Sequence, residues 1–344
     1  MREARFIKKN VDKWNDFQKS ETKDPDEIAR RFITLLDDLS FSKTFYPHSK
    51  VTRWINGIAA SIYQSIYKNR KHSIHDITRF WKYDLPLLFG RYHKVLLFTF
   101  CFFLLALSVS VISCYVEPGY AKSYFDTQVQ PGYYDQTIEN IRNGDPFNVY
   151  KDDNPFSMFI RIAYNNIRVA FTTVIAGIAA GAGTFFIMWK NSMMLGVFHY
   201  IFFSQGLGWQ SVLVIWIHGT LEISSLIIAS CAGFILGAGI LFPGTYSRKQ
   251  SFLKSVKDAI RICVALIPIF FVAAFFESYV THLMSDTFKT SEPSVGLPVP
   301  VSILILAGSL FFILWYFVWY PIRLRQKGYQ LKDGHIIKSG KKCF

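Results

Sequence analysis

The chain has 344 residues, of which 51% are hydrophobic and only 18% charged, with 33 phenylalanines and a formal net charge of +14. Soluble domains carry about 25% charged residues, so this deficit excludes an ordinary soluble globular protein. The basic residues flank apolar runs too long for a soluble core, which excludes a nucleic-acid-binding surface. Five cysteines lack any CxxC spacing, so neither a zinc ribbon nor a disulfide framework is expected.

The first 30 residues are polar and contain no apolar h-region, so no cleavable leader is expected. In Asp24-Pro25-Asp26-Glu27, Asp24 suits an N-cap, Pro25 the first helical position and the acids the first turn. Ile28, Phe32, Leu35, Leu36 and Leu39 then follow a helical period, and Trp54, Ile55, Ile58, Ile62 and Ile66 form a second helical run. Tyr46-Pro47 separates the two. Residues 1–90 therefore read as a cytoplasmic helical region built on a hairpin. A basic amphipathic helix lying on the membrane surface is the alternative.

A hydrocarbon core of about 30 Å takes about 20 apolar residues in helix. Val95–Val116, Val169–Trp189, Gln210–Phe242, Ile262–Phe276 and Pro298–Tyr320 meet that condition, the fourth by running on to about Thr281. Ser192–Leu207 is a sixth, thinner or partly re-entrant candidate. The third is long enough to predict a tilt, a kink near Gly219 or Gly233, or an extension beyond the membrane.

Cytoplasmic loops retain Lys and Arg. Residues 1–94 hold 19 basic against 11 acidic residues, whereas the stretch Glu117–Asn166 holds 4 against 7. Between Ser247 and Arg261, five basic residues face the single acid Asp258, and the tail is strongly basic. The expectation is an all-α polytopic membrane bundle of about six transmembrane helices, with both termini in the cytoplasm of the bacterial inner membrane. The transmembrane domain covers residues 94–322, the outer loop 117–166 and the basic cytoplasmic tail 323–344. Lys190, following the second span, falls inside on this scheme.

The chemically informative stretch is Trp216 to Ser225, within the third apolar run. Glu222 lies about twelve residues from Gln210, roughly 18 Å deep at 1.5 Å per residue. A charge at that depth costs at least ~2.5–3.5 kcal/mol. His218, four residues earlier, shares its helix face, where imidazole and carboxyl can share a proton or a metal. Three readings stay open: interhelical polar glue; an ion, proton or substrate site; and catalysis. Two ligands do not complete a zinc site and no third is at hand, so no metal or other cofactor is expected. A polar pocket of His218 and Glu222 with Asn165, Asn166 or Asn191 is predicted.

Arg161, Arg168 and Glu277 are the outer-side charges, and an Arg168–Glu277 pair is one arrangement they allow. Asn165-Asn166 suits either a helix cap or a hydrogen bond to a neighbouring helix. Gly177–Gly181 and Gly233–Gly237 both read GxxxG, a close-packing surface in lipid, within the chain or as a homodimer seam. Neither carries the Lys-Ser/Thr of a nucleotide loop, and no hydrolase triad is evident.

Met1-Arg-Glu-Ala-Arg-Phe-Ile with Trp14, Asp37-Asp38-Leu39 before Tyr46-Pro47, Thr137-Ile-Glu-Asn140-Ile141-Arg-Asn-Gly144-Asp-Pro146, Asn165-Asn166-Ile167, His218-Gly219-Thr-Leu-Glu222-Ile and Phe242-Pro243-Gly244-Thr-Tyr-Ser-Arg248 carry a resemblance across nearly the whole chain. The sequence resembles the stage II sporulation protein M family, in its non-sporulating, Bacteroidetes-type branch. Asn191-Ser192 departs from the Asn-Gly usual there. The resemblance implies an envelope role: the founding member belongs to an engulfment complex that recruits peptidoglycan hydrolases, and relatives are encoded beside MoxR-type ATPases and von Willebrand-type or RDD-type membrane proteins. No enzymatic activity follows from it. The leading functional expectation is a scaffold organising an envelope complex, with the bilayer and envelope proteins as partners. The alternative is a channel or transporter with His218 and Glu222 as its intramembrane site. An intramembrane hydrolase is the third.

Overall fold

The computed structural model describes residues 3–19, 22, 24–68, 74–147, 154–289, 296–332, 335–338 and 341–342. The chain divides into two units, Met1–Thr78 and Arg79–Phe344.

The first unit contains α1 (Glu3–Lys19), α2 (Pro25–Phe45) and α3 (Lys50–Lys68). Asp24 caps α2, accepting a hydrogen bond from the Asp26 amide, with Pro25 in the first turn. Trp14, Leu35 and Ile55, one from each helix, are fully buried together with Phe6, Leu39 and Ile58. The Trp14 indole donates to Asp38 Oδ2 at 2.8 Å, so its one polar atom is satisfied. The apolar faces thus close on one another in a three-helix core, one helix more than the expected hairpin.

The second unit begins in α4 (Ile74–Arg79), which runs through a π-helical turn at Phe80–Asp84 into α5 (Leu85–Val116). Two short helices follow, α6 (Tyr120–Gln128) and α7 (Tyr133–Arg142), then α8 (Pro155–Ala176), α9 (Ala182–Ser204), α10 (Gly208–Leu241) and α11 (Arg248–Phe276). α11 continues through a π-helical turn, Glu277–Thr281, into α12 (His282–Thr287). Last come α13 (Val299–Leu314), a π-helical turn at Trp315–Trp319 and α14 (Tyr320–Gln326). The tail forms an antiparallel sheet in the order β1 (Tyr329–Lys332), β2 (His335–Lys338), β3 (Lys341–Lys342), with Tyr329 opposite Lys338 and Lys332 opposite His335. Tyr316 and Tyr320 donate to the carbonyls of Trp81 and Lys82 at 2.7 and 3.0 Å, which ties the last helices to the first π turn.

Four helical stretches are long and apolar enough to cross a membrane: Asp76–Val116, Gly208–Leu241, Arg248–Thr287 and Val299–Gln326. The expected count of about six is not reached on that criterion among the described residues. α10 is the hub, 72% of its most apolar window being buried inside the protein against 22% for the first stretch. It runs as one continuous helix over 34 residues.

The second and sixth apolar runs are a correction. Val169–Trp189 is not a single span, because α8 ends at Ala176 and α9 starts at Ala182. Ala180 and Gly181 take left-handed backbone angles (φ 54° and 85°) and reverse the chain. Ser192–Leu207 consequently covers the second half of α9 and the turn after it rather than a separate span. Hydropathy passed over the reversal because the turn is built of Gly, Ala and Ile and carries no polar residue. Asn165-Asn166 does not cap a helix either; Asn154 does, accepting from the Phe156 amide at 3.0 Å.

The two GxxxG motifs face each other. A Cβ placed on Gly177 would strike the Gly233 backbone, and one on Gly237 would strike Ala180 and Gly181, all under 3.0 Å. Thr184 donates to the Thr173 carbonyl at 2.7 Å across the same hairpin. Small residues therefore let the α8–α9 reversal sit directly on α10. Gly177–Gly181 works as a tight turn, not as a helical stripe.

Candidate functional site

α10, α8 and the end of α11 bring together the ionisable residues of the apolar bundle. His218 and Glu222 share one face of α10, and Glu277 opens the π-helical turn that follows α11. One ligand atom from each of His218, Glu222 and Glu277 lies within 4.8 Å of the others. His218 is buried, while the two carboxylates keep partial accessibility. Glu222 is fourteen residues into α10, about 21 Å at helical rise, and Glu277 is ten residues from Thr287, about 15 Å. The carboxylates meet in the middle of the bundle.

The third ligand absent from the sequence reading is Glu277. Hydropathy ends its span at about Thr281, but the helix continues to Thr287, ten residues past Glu277. π-helical turns are uncommon and recur at functional positions because they offset side chains from the regular helical register. Here the turn carries both Glu277 and Thr281.

Thr281 fixes the imidazole. Its hydroxyl donates to the Phe276 carbonyl at 3.1 Å, so its oxygen accepts from His218 Nδ1 at 2.9 Å. The proton then resides on Nδ1 and the lone pair on Nε2. Thr281 had no signal in the sequence beyond its place near the end of a span. His199 provides a contrast. Its Nδ1 meets the Leu195 carbonyl of its own helix at 2.9 Å and its Nε2 accepts from the Trp216 indole of α10 at 2.9 Å, so both nitrogens are used in local structure and packing.

Of the predicted asparagines, Asn166 joins the cluster. It is 8% exposed and turns its side-chain amide to the Glu222 carboxylate. Asn165 is exposed on α8, and Asn191 donates to the Ile187 carbonyl of its own helix at 2.8 Å. Arg161, rather than Arg168, acts electrostatically on Glu277; both arginines are exposed on α8. Ser225, three residues after Glu222 on α10, and Ser278, next to Glu277, are buried hydroxyls.

A second layer lies next to the site. Phe147, Phe202, Ile217 and Met284 pack into one buried cluster, and Ile217 immediately precedes His218. Tyr120, Tyr124, Tyr133 and Tyr134 turn inward against Cys114, Val197 and Ile201. Tyr124 donates to the Lys190 carbonyl at 3.1 Å, and burial pushes its hydroxyl up to about 12. Lys122 bridges to Asp135 at 2.6 Å, which holds its ammonium above the usual lysine range. Tyr150 lies outside the described residues.

The comparisons settle the family. A model of the family described as stage II sporulation protein M matches residues 95–282, more than half of the chain and the part that holds the whole cluster. The chain belongs to the stage II sporulation protein M family. A second model, a domain of unknown function designated DUF8413, matches residues 4–68, the three-helix unit. Neither a curated protein nor a solved structure matches the chain. In this family member, His218, Glu222, Glu277, Thr281 and Asn166 all fall inside the matched region.

Proposed function

We propose that this protein is a six-crossing inner-membrane protein, both termini cytoplasmic, that passes a cation or proton through the His218–Glu222–Glu277 cluster. The observation that carries the reading is the meeting of an imidazole and two carboxylates from separate helices in the middle of an apolar bundle. Each charge there costs at least ~2.5–3.5 kcal/mol unless it is paired or neutralised. Packing alone does not call for such a cluster, because neutral hydroxyls and amides hold helices together at lower cost.

The crossing count rests on α8 and α9, of 22 and 23 residues. At 1.5 Å per residue they reach about 33–35 Å, enough for a core of about 30 Å. Added to the four apolar helices they return the chain to its starting side. The inner side then receives residues 1–94, the α8–α9 turn, the basic start of α11 and the tail, in keeping with the Lys/Arg distribution. Lys190, in mid-α9, is not an inner loop marker. Reporters fused at residues 179, 250 and 344 should report cytoplasm and one at Asp145 the outside. An outside signal at 179 would remove two crossings.

The decisive experiment is Glu222→Gln in a complementation assay. The amide preserves size and hydrogen bonding, so the variant should reach parental levels and melt with the parent, yet fail to complement. The outer layer favours a second reading, an organiser of an envelope complex with protein partners, because α6 and α7 form an ordered surface held by the Lys122–Asp135 bridge. That reading requires Glu222→Gln to complement and substitutions on the exposed sides of α6 and α7 to fail.

A further inference from the structure

We propose that His218, Glu222 and Glu277 bind one divalent first-row transition-metal ion, of the range Mn2+ to Zn2+, an assignment that rests on the cation-site reading and names its ion. Metal bonds to imidazole nitrogen and carboxylate oxygen are about 2.0–2.2 Å, which sets ligands roughly 3–4 Å apart. The three ligand atoms already lie within 4.8 Å of one another. Closing on an ion takes side-chain movements of about an ångström, with no change of helix position.

Two features around the three ligand groups fit a bound ion. The first is the histidine tautomer. Thr281 accepts from His218 Nδ1 and is itself held by the Phe276 carbonyl, which leaves Nε2 as the basic nitrogen. Metal-bound histidines characteristically have their other nitrogen oriented in this way. The second is Asn166, more than nine-tenths buried, whose side-chain amide is turned to the Glu222 carboxylate. An amide in that position can orient a ligating carboxylate or hold a metal-bound water.

Charge and donor type narrow the ion. Two carboxylates and a neutral imidazole balance a divalent cation, removing most of the cost of holding either carboxylate in an apolar bundle. An imidazole disfavours Na+, Mg2+ and Ca2+, which prefer oxygen-only sites. Lack of a thiolate disfavours Cu+; the nearest buried cysteines by element, Cys231 on α10 and Cys263 on α11, belong to the apolar core instead. Arg161 is the resident cation acting on Glu277, and it competes with the metal for that carboxylate.

The test uses the full-length protein, purified in detergent, stripped with a chelator and titrated with Co2+ while its visible absorption is followed. One equivalent per chain should bind with a d–d spectrum, and Zn2+ should displace it. Glu277→Gln and His218→Ala should weaken binding at least about tenfold, and Thr281→Val by about 10–100-fold, the usual effect of removing a group that orients a ligand. Arg161→Gln, exposed on α8, should fold normally and bind Co2+ more tightly than the parent. Absence of a d–d spectrum in the parent, or equal Co2+ affinity in the parent and Glu277→Gln, overturns the metal assignment. If Co2+ does not bind while Glu222→Gln still folds and fails to complement, the metal falls and the proton reading under the proposed function stands. If Co2+ binds to the parent and Glu222→Gln complements, the metal is structural and the transport reading falls alone.

Discussion

Gly177→Leu and Gly237→Leu should each remove most of the folded protein, whereas Gly308→Leu should not. Gly177 and Gly237 have backbone atoms of another element where a side chain would begin, and backbone cannot rotate away as a flexible side chain can. Overpacking usually costs about 1–3 kcal/mol, and here a whole isobutyl group must separate the α8–α9 turn from α10. The loss should exceed that range. Gly308 on α13 has nothing within 4 Å of an added Cβ, so it controls for a larger residue in a membrane helix. The readout is the monodisperse yield in detergent and the melting temperature of whatever remains. Parental yield and melting for Gly237→Leu would mean that the two glycine motifs do not touch.

Asp258→Ala should cost about 3 kcal/mol, the lower end of what breaking a buried ion pair entails. Asp258 is 4% exposed and joins α11 to the start of α5, accepting from the Tyr92 hydroxyl at 2.8 Å and lying 3.5 Å from Arg91. Arg261 adds a longer contact at 3.9 Å. Arg91 keeps about a third of its exposure (32%), so water screens part of the charge left behind and the upper end of the range is not expected. Arg91 also donates to the Leu331 carbonyl, and Arg325 donates to the Gly90 carbonyl at 2.7 Å, which fastens the tail to the same end of α5. Thermal unfolding should show the loss, and Arg91→Met in the Asp258→Ala background should recover part of it. Asp258→Ala melting with the parent would show that the network adds nothing.

Local chemistry made several elements legible. The Asp24-Pro25 start of α2, the membrane character of the apolar helices and the extension of α11 past Glu277 all follow from cap, length and hydropathy rules that act over a few residues. The energetic cost of His218 and Glu222 was legible as well, because two ionisable groups one turn apart in an apolar run stand out on any transfer scale. Glu277 stood out singly for the same reason, yet nothing local linked it to a helix 55 positions earlier.

What the sequence by itself determined is where the chain must leave water: dehydration cost is set residue by residue, and charge deficits fix the apolar stretches regardless of their neighbours. Only the tertiary structure decided that Val169–Trp189 reverses direction, since a turn of Gly and Ala has the same transfer energy as a helix of Gly and Ala. Only it decided that the two GxxxG motifs close on each other, because the sequence names small residues without naming what approaches them. It also decided the site. A carboxylate's partners are chosen by helix packing, and the packing of α8, α10 and α11 brings Glu277, Thr281 and Asn166 to His218 and Glu222 while leaving Asn165 and Asn191 elsewhere.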